Sequence, residues 1–157
     1  MVEYGIIIYI EEDTMKREDN INIYDYEVIT RANQFKKTAE ILKAAQDVAI
    51  PLEMNVCFAC ELYMKYLINF KQKNKHVISS SDLEKKYRHD LEFMYNNLDE
   101  DVKQEIKSKM GHEFENKLKQ VKLNFEKTRY EYEHDKMIYS PFFLLDFAKV
   151  LSDICNG

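Results

Sequence analysis

One stretch of this chain, Asn124 to Asp135, gathers an arginine, a histidine, two tyrosines and four acids at the end of an apolar-periodic segment. Arg129 and His134 are the pair with chemical potential. A guanidinium stabilises charge on phosphoryl oxygens, and an imidazole carries a proton near neutral pH. On an unbroken helix residues five apart point about 140° away from each other, so the pair converges only if the helix ends or kinks, or if a symmetric dimer brings two copies together. A plainer role is open to the same arginine. Glu126 and Glu133 lie three residues before and four after it, the spacing of ion pairs within one helix.

Phe114, Leu118, Val121, Phe125 and Tyr132 recur at helical spacing, which predicts one long helix carrying Arg129 at the edge of its buried stripe. An arginine there needs a partner, and Glu61 is a candidate. It is the acid in the most hydrophobic turn of the segment from Pro51 to Lys71, where Val56, Phe58, Ala59, Leu62, Tyr63, Met64, Tyr66, Leu67, Ile68 and Phe70 are apolar almost all round. Glu61 either pairs with Lys65 on an exposed face or is half-buried and takes a cation from another helix, for which Arg129 is the natural choice.

The other constellations weigh less. Cys57 and Cys60 have the C-x-x-C spacing of redox and zinc sites, but they stand amid apolar residues with no second pair, as inert core thiols do. Cys155 reads the same way. His89-Asp90, His112-Glu113 and His134-Asp135 each join a histidine to an acid, but neighbours on a helix face different ways and no H-x-x-x-H spacing occurs. His76 reads as solvated. No metal site and no cofactor are expected, and there is no glycine-rich phosphate loop.

The elements that must position these residues follow from composition and punctuation. With 157 residues, 45% hydrophobic, and only three Gly and two Pro, the chain suits a mainly α single bundle. A net charge of −5 disfavours broad binding to a nucleic-acid backbone. Three cysteines and no secretion signal lead to an expectation of a reducing, cytoplasmic setting, and no segment is expected to span a membrane. Residues 4–10 and 21–29, rich in Ile, Tyr and Val, predict a short N-terminal β-hairpin, so 1–29 is set apart as an extension and 30–157 as the bundle. Thr30 is expected to cap a helix through Phe35, Ala39, Leu42, Ala45 and Ala49, which Pro51 stops. Ser81 to Glu84 fits a capping box, Asp99 a cap, Gly111 a stop, and Ser140-Pro141 the start of a terminal helix with Leu144, Phe147, Ala148, Leu151 and Ile154 as its stripe.

Taken in order, Ala59 to Leu67 on a central helix, His89-Asp90-Leu91 opening a short helix, and Phe125 to Glu133 resemble the HEPN superfamily over roughly residues 30 to 156. The resemblance implies an antiparallel bundle of about five to six helices. It further implies a metal-independent endoribonuclease, or a regulator linked to RNA or nucleotides, in a prokaryotic defence or toxin–antitoxin context. The alternative it implies is a non-catalytic interaction module that binds a partner such as a nucleotidyltransferase. Arg129 and His134 match the superfamily's arginine and histidine, while Tyr130 stands where the active enzymes usually carry a small polar residue. On the nuclease reading a ribose 2′-hydroxyl attacks the neighbouring phosphorus, which expels the oxygen of the next nucleotide and leaves a cyclic phosphate. His134 moves the proton, Arg129 stabilises the phosphoryl oxygens and Glu61 orients Arg129. Tyr130 and Tyr132 then donate a hydrogen bond or stack on a base, and Glu133 supports the arginine. A homodimer, with an RNA, a nucleotide or an antitoxin as further partner, completes that expectation.

Overall fold

The computed structural model describes residues 17–71, 89–129 and 138–157. Among them the chain is mainly helical with no strand: α1 (Arg17–Leu42), α2 (Ala49–Tyr66) continuing as a π-helical turn (Leu67–Lys71), α3 (Leu91–Asn96), α4 (Glu100–Met110), α5 (Phe114–Val121), α6 (Asn124–Arg129) and α7 (Pro141–Asn156). The first expected strand, the capping box at 81–84 and residues 130–135 lie outside the described residues.

The second expected strand is a helix. Residues 21–29 belong to α1, which runs unbroken across position 29, and Thr30 lies inside it instead of capping it. The stripe of Phe35, Ala39 and Leu42 extends upstream through Ala32 to Val28 at the same alternation of threes and fours, and all five pack on or within the core. Packing of that stripe against α2 overrides the β-propensity of its Ile and Tyr content. The helix ends at Leu42, earlier than Pro51 would enforce. The N–H groups of Ala44 and Ala45 turn back to the carbonyls of Ile41 and Leu42, and Asp47 adopts φ 56 before the chain enters α2. Pro51 falls within the first turn of α2, where a missing N–H leaves no bond unmade.

α2 is the axis of the bundle and packs against α1, α3, α6 and α7. Its burial on every side follows from its nearly continuous apolar sequence: Val56, Cys57, Ala59, Cys60, Tyr63 and Met64 are all fully buried. Several polar atoms inside are matched in pairs. The hydroxyl of Tyr63 donates to Asn33 Oδ1 at 2.6 Å, and the thiols of Cys60 and Cys155 lie 3.5 Å from the carbonyl of Leu144 and 3.8 Å from that of Tyr63. Burial pushes the Cys57 and Cys60 thiols well above the ordinary thiol range. The two cysteines therefore act as packing groups.

α7 begins as expected at Ser140-Pro141, and Leu144, Phe147, Ala148 and Leu151 form its buried stripe. Phe147 meets Phe114 edge-on at 4.9 Å between ring centroids, and Tyr95 meets Phe114 at 5.1 Å, which closes a second aromatic core between α3, α5 and α7. Gly111 ends α4 with φ 91, a left-handed conformation that side chains with a Cβ resist.

The long helix expected from Phe114 to Tyr132 is broken. Lys122 and Leu123 form a turn between α5 and α6, and the N–H of Leu91 bonds to the carbonyl of Lys122 at 3.1 Å. That contact, with the Lys122–Glu92 ion pair at 2.7 Å, draws the start of α3 onto the break.

Candidate functional site

The break sets the site. Asp90 caps α3 by accepting from the N–H of Phe93 at 3.0 Å, as its residue type and position favour. The residue before it, His89, takes φ 63, a conformation that histidine tolerates better than most side chains. Tethered there by the bond from Leu91 to Lys122, the imidazole lies against Phe125 of α6 with ring centroids 4.7 Å apart. Its Nδ1 is 2.7 Å from Glu61 Oε2.

Glu61 is fully buried and ionic. Lys65 Nζ, one turn along α2, reaches Oε1 at 2.6 Å, so each carboxylate oxygen has its own cationic donor. Both sequence alternatives for Glu61 are thus partly met: it pairs with Lys65, and it takes a cation from another element. That cation is His89, and the burial is complete instead of half. Burial pushes the Glu61 carboxyl up, but the bonds from His89 and Lys65 outweigh it and leave the group below its ordinary range. His89 shifts the opposite way, raised by its bond to Glu61 against partial desolvation, with the Glu126 carboxylate adding to the rise. Because a carboxylate only accepts, Nδ1 carries the hydrogen. The remaining ring nitrogen, Nε2, is then the atom with proton-transfer capacity.

Arg129 stands at the end of α6 and is exposed, with its guanidinium carbon 5.9 Å from the Phe125 ring centroid. The place expected for it at the edge of the buried stripe is met in part, since the side chain is exposed yet keeps to the Phe125 ring. Phe125 therefore bears an imidazole and a guanidinium, and stacks at 5.3 Å on Phe58, which in turn meets Phe35. His134, Tyr130, Tyr132 and Glu133 lie outside the described residues.

Two features escaped the sequence reading. One is His89 as the partner of Glu61. Its nearness to the helix start at Asp90 was legible, but 28 residues separate the two and nothing local announces their meeting. The other is Glu53, fully buried on α2, whose Oε1 accepts from Asn124 Nδ2 at 2.7 Å and from the N–H of Ser140 at 3.3 Å. Its signal was available: positions 53, 57, 60 and 64 share one helical face, and the last three are apolar.

Fold and site together define a mainly helical bundle with an ionic cluster, Glu61, Lys65 and His89, sealed by an aromatic ladder. Among the described residues no helix is long and apolar enough to cross a membrane. Comparison of the chain with known protein families, with curated proteins and with solved structures gave no significant match.

Proposed function

We propose that the chain is a HEPN-like module that engages RNA or a nucleotide on the face formed by His89, Phe125 and Arg129, in a defence or toxin–antitoxin context. What carries this reading is the imidazole of His89, held through Nδ1 by a buried carboxylate at 2.7 Å and tilted against the ring that also lies near Arg129. A carboxylate that fixes the tautomer leaves Nε2 to exchange a proton, a phosphate finds a guanidinium alongside, and a base finds aromatic surface. Metal-independent cleavage would use a 2′-hydroxyl as nucleophile, with Arg129 at the phosphoryl oxygens and His134 or His89 as proton carrier. A homodimer would set two such faces beside one two-fold axis.

The test is RNA cleavage and RNA binding by the wild-type chain and by His89→Ala, His134→Ala and Arg129→Ala. Loss of cleavage in a folded histidine variant identifies the proton carrier. A wild-type chain that neither cleaves nor binds RNA overturns the reading. The second reading, a non-catalytic module that binds a partner protein such as a nucleotidyltransferase, is favoured by one observation. Glu61, Lys65 and His89 satisfy one another internally, as a purely structural cluster would.

A further inference from the structure

Glu53 is fully buried, and none of the chemistry above uses it. Its Oε1 receives two N–H groups, from Asn124 and Ser140, while its Oε2 receives none. Asn124 is left in a matching state. Its Nδ2 spends both hydrogens, one on Glu53 Oε1 and one on the carbonyl of Ile138 at 2.8 Å, yet its Oδ1 is buried with no donor. Two acceptors, one on each member of a hydrogen-bonded pair, are therefore bare in the interior, where an unmatched polar atom is costly. A single hydrogen on Oε2 directed at Oδ1 satisfies both.

The surroundings favour that hydrogen. Among the described residues the groups that face Glu53 are the Asn124 amide from α6, the Ser140 N–H at the head of α7, and the Cys57 and Cys60 thiols farther along α2. None of these is a cation. A carboxylate at this place would be a buried charge without a counter-ion among the described residues, in contrast to Glu61 two turns on, which has two.

We propose that Glu53 is a neutral carboxylic acid in the folded protein, joined to Asn124 by two hydrogen bonds, Nδ2–H to Oε1 and Oε2–H to Oδ1. The pair fastens two places at once, since Asn124 opens α6 and, with Glu53, holds Ile138 and Ser140 at the entry to α7. It is thus a proton-dependent pin for both flanks of the chain between α6 and α7. The inference does not depend on the functional reading above. Burial raises the carboxyl's pKa, and the bonds from Asn124 and Ser140 lower it by less. The sign follows: the pin's contribution to stability is complete below the ordinary glutamate value of 4.5 and is lost as pH rises through the folded-state value.

A pH titration of the glutamate side-chain carboxyl carbons by NMR tests this on the wild-type chain. One carboxyl is expected to ionise at a pH above that of the exposed glutamates, and its resonance is expected to be missing from Glu53→Gln. Ionisation of that carboxyl together with the exposed ones would mean a charged Glu53, with its bare oxygens served by water, and would overturn the proposal. Thermal melts give a second readout. A carboxamide in place of the acid offers the same pattern, a carbonyl to Nδ2 and an N–H to Oδ1. Glu53→Gln should therefore melt no lower than wild type at alkaline pH and should show a smaller loss of Tm between acid and alkaline pH than wild type, the part that remains coming from His89. A Glu53→Gln chain with the wild-type pH slope would equally refute it. If that variant fails to fold, the wild-type titration still decides.

Discussion

Replacing His89 with alanine tests the ion cluster directly. The substitution removes the donor to Glu61 Oε2 and leaves Oε1 with Lys65. Breaking a buried pair by deleting one partner costs about 3–5 kcal/mol, and leaving one buried polar atom unsatisfied costs about 1–3 kcal/mol. Lys65 still neutralises the carboxylate, and the His89 side chain is 29% exposed, so water can approach the vacated edge. The loss should therefore fall in the upper part of the second range, at about 2–3 kcal/mol, or a fall in Tm of roughly 5–10 °C for a chain of this size. Alanine tolerates φ 63 less well than histidine, so the backbone adds to the loss and does not offset it.

The pH dependence gives the sharper check. His89 has its folded pKa raised above the ordinary 6.5, so its contribution is complete below that value and is lost as pH rises through the folded one. Glu61 has its folded pKa lowered below 4.5, so its contribution is present above that value and is lost as pH falls through the folded one. The alanine penalty should peak between those two ordinary values and shrink in alkaline buffer. Urea denaturation of wild type and variant, at a mildly acid and an alkaline pH, measures it. A penalty that is the same at both pH values, or below about 0.5 kcal/mol at the acid one, would refute the charged bond between His89 and Glu61.

Phe147→Ala should destabilise by about 3–5 kcal/mol in the same denaturation assay, because Phe147 is fully buried and packed edge-on against Phe114. Gly111→Ala should cost about 1–2 kcal/mol through the backbone alone, since an added Cβ meets nothing within 4 Å while φ is 91. Titration of the native chain with a thiol reagent should find Cys57, Cys60 and Cys155 unreactive until denaturant is added, all three being buried. Fast labelling of Cys60 in the folded state would contradict its place in the core.

The sequence by itself determined the helical class, the centrality of α2, the opening of a short helix at His89-Asp90, the stop at Gly111 and the start of α7 at Ser140-Pro141. These are consequences of local chemistry: periodic apolar residues, side chains that accept from free N–H groups, and backbone angles open to glycine or fixed by proline. It also singled out Glu61 as an acid in need of a partner, because a carboxylate in an apolar turn is anomalous wherever it folds. The sequence reading failed where local preference competed with packing. Residues 21–29 have the composition of a strand, but they lie within α1, and Val28 and Ile29 pack on the core at its helical spacing. The break at Lys122 and Leu123 has no proline or glycine to announce it, and the bond from Leu91 to Lys122 that forms there holds His89 close to Phe125. Only tertiary structure could choose His89 for Glu61 and Asn124 for Glu53. Separations of 28 and 71 residues are bridged by helix packing, and the identity of a buried charge's partner depends on which donor that packing delivers.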